Sequence, residues 1–313
     1  MLIYTLRRLA FGVILFVLVS LITFWLLSFS FDDAVTARLG PAASPETTAA
    51  LMRELGLDRP VMLQYFDWLA HVVQGDLGKS FFTGEPVASA VPARMGVTLS
   101  IVVPALLISV AISVILGVTA AARGGVVDKV VQGMMLFGYL VPNLLVAIFF
   151  VVLFAIQLHL LPATGFTPFS KDPAAWARSV TIPIIALVVA GAANISNQIR
   201  GAMIDELRRD YVRTLRTRGI SPMSIVIRHA LRNAAGPALT VFGFEFITMF
   251  GGALIIEQVF ALPGYGIYSF NSALENDFPV ILGLTVFGVF LTVGVNLVTD
   301  LANGWLNPKA RIH

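Results

Sequence analysis

Six uninterrupted apolar runs constrain this chain more than anything else in it: 9–31, 97–122, 130–158, 180–199, 234–259 and 278–298. Crossing about 30 Å of hydrocarbon takes about 20 such residues in a helix, so each run is long enough. Only the fifth holds charged side chains, Glu245 and Glu257. A transmembrane β-barrel is excluded, because its strands alternate over about ten residues instead of staying apolar throughout. Charged residues make up only 12% of the chain, against about a quarter in soluble domains. The pattern predicts an all-α polytopic membrane protein with six transmembrane helices. Arg7 and Arg8 precede the first run as in a secretory leader. That run is too long for a cleaved core and lacks a small-residue cleavage site, so it reads as a retained span.

Lysine and arginine set the orientation. With the N-terminus inside, the inner segments carry fourteen of them and the outer segments seven. Both termini are therefore expected in the cytoplasm. The chain has no cysteine, and its four histidines are scattered, so no disulfide, thiolate or metal-ligand spacing is present. Gly78-Lys79-Ser80 copies the tail of a phosphate-binding loop. However, Val73 stands where the first glycine belongs, and no strand-to-helix junction surrounds it. Nucleotide binding by this chain is not expected there.

Residues 32–96 are too polar for lipid and predict a helical outer insert. Ser44-Pro45-Glu46 signals a helix start, with Leu51, Met52 and Leu55 on one face and Gly56 as the stop. A second helix should begin near Pro60 and end at Gly75, with Met62, Tyr65, Phe66, Leu69, Val72 and Val73 as its apolar stripe. The insert reads as a cap on the bilayer or on the spans, or as a contact for a soluble delivery protein.

Between Arg200 and Asn233 lie eight arginines, no lysine and three acids. A cytoplasmic loop that only fixes topology would look similar. The order within it adds more: Asp210 to Leu215 is helix-like, Gly219 marks a break, and Ser221-Pro222 opens a second run with Met223, Ile225, Val226, Ile227 and Leu231. Helix, break and helix form a projecting elbow suited to a groove on another protein.

Polar groups inside the apolar runs are candidates for a pathway. Glu245 lies about halfway along its run, where an ionised group costs about 2.5–3.5 kcal/mol unless it faces a cavity or a partner. It either lines a cavity and favours a cationic group, or contacts a second membrane subunit. Glu257 sits near the outer end, where water is within reach and a structural role is expected. Asn143, Asn194, Asn197 and Gln198 either line a pathway or bond between helices beside small neighbours such as Gly191, Ala192 and Ala193.

Several passages together resemble the inner-membrane permeases of ATP-binding-cassette importers, most closely the first permease of the dipeptide/oligopeptide branch. Gly56-Leu57-Asp58-Arg59-Pro60, Gln64-Tyr65, Trp68-Leu69 and Gly75-Asp76-Leu77-Gly78-Lys79-Ser80 are similar to that branch's outer insert. Asp210 to Thr214, Gly219 and Arg228 to Asn233 resemble its ATPase-contacting loop. Glu257-Gln258-Val259-Phe260 with Pro263-Gly264-Tyr265-Gly266 resembles its outer re-entry loop. Asp277-Phe278-Pro279-Val280 and Asn307-Pro308-Lys309-Ala310-Arg311 extend the likeness. Two places depart from the general signature: Arg213, Thr214 and Leu215 stand for Glu-Ala-Ala, and Leu231-Arg232 for Leu-Pro.

The resemblance implies a type I importer permease fold. It divides the chain into a cytoplasmic N-terminus and first span (1–31), an extracytoplasmic insert (32–96), a core (97–302) with a coupling loop at 200–233, and a cytoplasmic tail (303–313). It implies a homologous second permease, two ATPase subunits (or one fused or homodimeric), a soluble substrate-binding protein and the lipid bilayer as partners, and no nucleic acid. The chain itself would bind no cofactor, with ATP and magnesium on the ATPases, and would not be an enzyme. Coupling would fall to Arg213, Thr214, Leu215, Thr217, Arg218, Gly219, Ile220, Ser221 and Met223. Exposed ion pairs contribute about 0–1 kcal/mol each, so Leu215, Ile220 and Met223 are expected to carry docking. Glu245, Asn143 and Asn194 are the pathway candidates, and Glu257, Pro263 and Gly264 the outer loop or gate. Di- and oligopeptides are the expected cargo, with nickel chelates, glutathione or haem as alternatives. An ion-coupled secondary transporter would need several buried acids or histidines and inverted repeats. Only Glu245 is deep here, and no repeat is visible.

Overall fold

In the computed structural model, which describes residues 2–306, helices account for nearly all regular structure. In chain order they are α1 (Leu2–Ser28), α2 (Phe31–Leu39), α3 (Pro45–Glu54), α4 (Val61–Val73), α5 (Val87–Arg123), α6 (Gly125–Leu140) and α7 (Asn143–Phe150). A π-helical turn, Val151–Gln157, continues α7. There follow α8 (Pro173–Leu207), α9 (Asp210–Thr217), the short α10 (Pro222–Ser224), π-helical Ile225–Ala230, α11 (Leu231–Phe260), α12 (Tyr265–Glu275) and α13 (Phe278–Leu306). The terminal Asn307-to-Arg311 likeness lies outside the described residues.

Five of these helices contain a stretch long and apolar enough to cross a membrane. The run at 130–158, expected as one span, is not one straight helix: it is α6 and α7 with its π-turn, bent by 94°, the form of a broken span or a re-entrant loop. Pro142 is the cause: it has no N–H to continue the ladder and forces the preceding residue out of the helical region. Val141 is accordingly extended (φ −79°, ψ 120°). Other boundaries also move. Helix α5 begins ten residues before the run at 97–122, α8 extends the run at 180–199 at both ends and by its C-terminal end enters the expected coupling loop, and Phe31 opens α2 instead of closing α1.

The chain forms two compact units. One comprises residues 98–262 and 295–306, the other 2–97 and 263–294. In the first, α8 is the central element. Small residues let neighbouring backbones approach it: a Cβ on Gly117 would lie 2.9 Å from the Ser196 carbonyl, and one on Gly138 3.0 Å from the Val189 carbonyl. The buried Ser113 donates to the Ala192 carbonyl at 2.9 Å. Ile195, Ile199, Met203, Ala230 and Ala234 form the apolar cluster at the end of α8 nearest the elbow.

In the second unit, α4 packs on α1. Tyr65 is buried, with its hydroxyl 3.0 Å from Ser20 Oγ, and Phe24, Phe31 and Phe278 complete an aromatic cluster. Both insert helices lie where capping logic puts them. Ser44 Oγ accepts from Thr47 N, and Gly56 and Gly75 take positive φ after α3 and α4. The stripe on α4 needs correction, because Met62, Phe66 and Val73 are exposed, while Gln64 and Tyr65 are buried and Val61, Trp68 and Leu69 pack beside them. Apolar residues occupy both faces of this helix, so periodicity alone could not choose the inner one.

The Gly78-Lys79-Ser80 passage has a local use. Asp277 accepts from Ser80 Oγ at 2.5 Å and from the Phe81 amide at 3.1 Å, fixing the loop to the start of α13. Tyr265 donates to the Leu284 carbonyl at 2.6 Å; burial pushes its phenol up to about 12, so the donor persists at any physiological pH.

Candidate functional site

The elbow is built as its residues dictate. Helix α9 is held at its base by the buried Val212 and by Tyr211, whose hydroxyl donates to Glu206 Oε1 at 3.0 Å and accepts from Asn233 Nδ2 at 3.2 Å. Burial pushes the Tyr211 phenol upward, keeping it protonated and able to donate. The helix ends in a tight reversal: Gly219 N donates to Arg216 O at 3.0 Å and Ile220 N to Leu215 O at 3.2 Å. Gly219 holds φ +75°, a conformation glycine adopts without a Cβ clash. Ser221 then caps the next segment, accepting from Ser224 N.

Arg213, Thr214, Thr217, Arg218, Gly219, Ser221 and Met223 are exposed, and Leu215 and Ile220 half-buried. Met223 and Ile227 project outward, whereas Ile225 is buried. The second run is therefore not a uniform apolar face. Residues two apart in a helix point to opposite sides, which separates Ile225 from Met223 and Ile227. Arg209 pairs with the buried Glu206 at 3.0 Å, and Arg213 lies 3.7 Å from an exposed Asp210.

A second feature lies in the same unit. A cavity of about 460 Å³ opens between α6 and α8, lined by Gln132, Tyr139, Asn194 and Asn197 with Met135, Leu136, Gly133 and Ala193. Asn194 lies on its wall and donates Nδ2 to Glu245 Oε2 of α11 at 2.5 Å. Glu245 is only 4% exposed and does not line the cavity. Asn143, at the start of α7, is half-buried and is not on that wall either. Beside the cavity, Arg200 grips Asp128 in a two-pronged ion pair, Nε to Oδ1 at 2.5 Å and Nη2 to Oδ2 at 2.6 Å. Gln132 donates to the same carboxylate at 2.9 Å. Sequence reasoning missed Gln132, Tyr139 and this pair. Arg200 counted only as loop charge, and Asp128 lies seventy-two residues away from it.

Glu257 corrects an expectation. It does not reach water: it is fully buried and accepts a hydrogen bond from the Thr98 hydroxyl. Its carbonyl accepts from Leu262 N at 2.9 Å, closing a turn in which Ala261 is left-handed. Pro263 is exposed, and the buried Gly264 precedes α12 in extended conformation.

Two family descriptions match this chain: "Binding-protein-dependent transport system inner membrane component" over residues 113–312, and the N-terminal component of the same system over 1–102. The chain is 36% identical to a protein of Brucella abortus (strain 2308) named for a peptide transport system permease, over 98% of each. It is 35% identical to a Sinorhizobium fredii protein named for a peptide ABC transporter permease, over 99% of each. It is 32% identical to a metal-staphylopine import system permease protein of Staphylococcus aureus, over 98% of each. Among solved structures, an inward-facing methionine ABC transporter superposes with a TM-score of 0.57 at 16% identity, over 69% of this chain and 96% of that one. That likeness concerns the fold.

Proposed function

Because the chain belongs to the binding-protein-dependent transport system inner membrane component family, we propose that it forms half of a peptide translocation pathway, driven by ATPases that grip its elbow. It is an ABC importer permease subunit with the type I fold. In this reading it has six spans, the bent α6–α7 segment counting as one, both termini in the cytoplasm, and residues 32–96 outside the inner membrane. A homologous permease completes the pathway, a soluble protein delivers cargo from outside, and ATP with magnesium stays on the ATPase subunits. Di- and oligopeptides are the cargo that the names of its relatives favour.

The observation that carries the reading is the elbow itself. A lever driven by another protein must be rigid, must stand clear of its base, and must offer apolar contact at its tip. The Tyr211–Glu206–Asn233 bonds stiffen the base, and Gly219 makes the reversal. Leu215, Ile220 and Met223 supply contact area, while Arg213 and Arg218 add exposed pairs of little strength. Asn194, Asn143 and Glu245 belong to the pathway side, and Glu257, Pro263 and Gly264 to the outer loop.

Native cysteines are absent, so single cysteines at Thr217 and Ser221 would be unique reporters. In the complete assembly they should cross-link to a nucleotide-hydrolysing subunit, with yields that change when ATP is added. The absence of any such cross-link in an assembled, ATP-hydrolysing complex would overturn the coupling role. Uptake of labelled dipeptide against a metal chelate by the same assembly decides the cargo, and transport of the chelate alone would overturn the peptide reading.

A further inference from the structure

The acid expected to meet the substrate stands behind the cavity wall, and an amide stands in front of it. Resting on the peptide-permease reading, we propose that Asn194, oriented by Glu245, reads main-chain N–H groups of the passing peptide, with Glu245 acting as a positioning residue. The Asn194 nitrogen is the atom turned toward Glu245 Oε2, at 2.5 Å, which is the orientation an ionised, accept-only carboxylate requires. The amide oxygen is left at the opposite end, for the cavity that Asn194 lines. Rotation of the amide would set two acceptors against each other, so the carboxylate locks one orientation.

The surroundings keep the acid from direct contact. A Cβ on Gly191 would run into Met249 Cε and lie 3.2 Å from Ser109 Oγ and 3.3 Å from Glu245 Oε1, so this glycine makes room chiefly for Met249, with the carboxylate packed beside it. The carboxylate is 4% exposed, whereas Asn194 is half-buried.

The rest of the polar wall is of one chemical kind. Gln132 and Asn197 add two more amides and Tyr139 a phenol, and no ionised side chain lines the cavity. Neutral donors and acceptors match the N–H and C=O groups that every peptide displays, whatever its side chains. A volume of about 460 Å³ falls within the range of small-molecule sites and admits a short peptide. Conduction also requires that cargo leave as readily as it arrives. A bare carboxylate in the path would hold a terminal ammonium, whereas an amide polarised by that carboxylate attracts N–H donors more weakly and releases them. The site is thus selective for the peptide main chain and tolerant of side-chain charge.

The test uses the complete permease–ATPase assembly in nanodiscs, with radiolabelled dialanine as probe and dialanine methylated at its peptide nitrogen as competitor, followed by uptake of dialanine in proteoliposomes with the binding protein. The wild type should prefer dialanine about tenfold, the worth of one good hydrogen bond. Glu245→Gln lets either end of the Asn194 amide face the cavity, and should reduce that preference to about twofold while ATP hydrolysis persists. Asn194→Leu should lower dialanine binding about tenfold and abolish the preference. Retention of the wild-type preference by both variants would overturn the proposal. If Glu245→Gln or Asn194→Leu fails to assemble, the smaller Asn194→Ala decides: loss of the preference supports the proposal and its retention overturns it. A wild-type assembly that hydrolyses ATP yet neither binds nor imports dialanine defeats the peptide reading itself, and this inference with it.

Discussion

Helices α1 and α8 are both apolar enough to insert into a bilayer, yet they live in different solvents. In its most apolar window α8 is 72% buried within the chain, and α1 only 17%. Hydropathy cannot explain this, because α1 is the more apolar of the two. Side-chain size and polarity can. Helix α8 carries Gly191, Ala192, Ala193, Asn194 and Ser196 where α5, α6 and α11 approach it, and lipid offers no partner for such residues. In α1, Val13, Ile14, Leu18 and Trp25 face outward as large apolar surface. Lipid tails are as apolar as leucine, so bulk confers no drive toward other helices, and close approach with hydrogen bonds decides who packs with whom.

The sharpest break in this contrast would come from Gly191→Leu. Its side chain would run into Met249 Cε, Ser109 and the Glu245 carboxylate. Overpacking of this kind should cost about 3 kcal/mol, read as a lower melting midpoint of the detergent-solubilised assembly by fluorescence-detected chromatography. Tyr65→Phe tests the polar tie of α1, since it removes the hydroxyl that bonds Ser20 and the Val17 carbonyl. A loss of about 1 kcal/mol is expected, with freer proteolysis of the insert as a second readout. Ser113→Ala deletes one interhelical bond to α8 and should cost about 0.6 kcal/mol by the same melt. Leu18→Ala on the outer face of α1 should stay within about 0.5 kcal/mol. If it instead matched Gly191→Leu, α1 would be a packing helix in the assembly and the contrast would collapse.

The features legible in the sequence were local ones. Ser44, Gly56, Gly75 and Gly219 bring their turn geometry with them, and each sits in the turn or cap expected of it. The features missed depend on partners far along the chain. Thr98 lies 159 residues from Glu257, and Asn194 51 residues from Glu245; no spacing rule connects them. The right-angle break at Val141–Pro142 was hidden for another reason. The apolar run continues across it unchanged, so composition and length alone do not mark the break at a single proline.

That corner has a consequence for where water goes. Straight, residues 130–158 would measure about 44 Å, but the sixteen-residue arm before the break reaches only about 24 Å, short of a bilayer's core. On a six-span topology the corner lies at depth, and Pro142 leaves the Gly138 carbonyl without its partner four residues on. Hydrocarbon cannot solvate a loose carbonyl. On that topology the corner needs protein or moisture around it, and the burial of Gly138 against α8 already supplies part of that shelter.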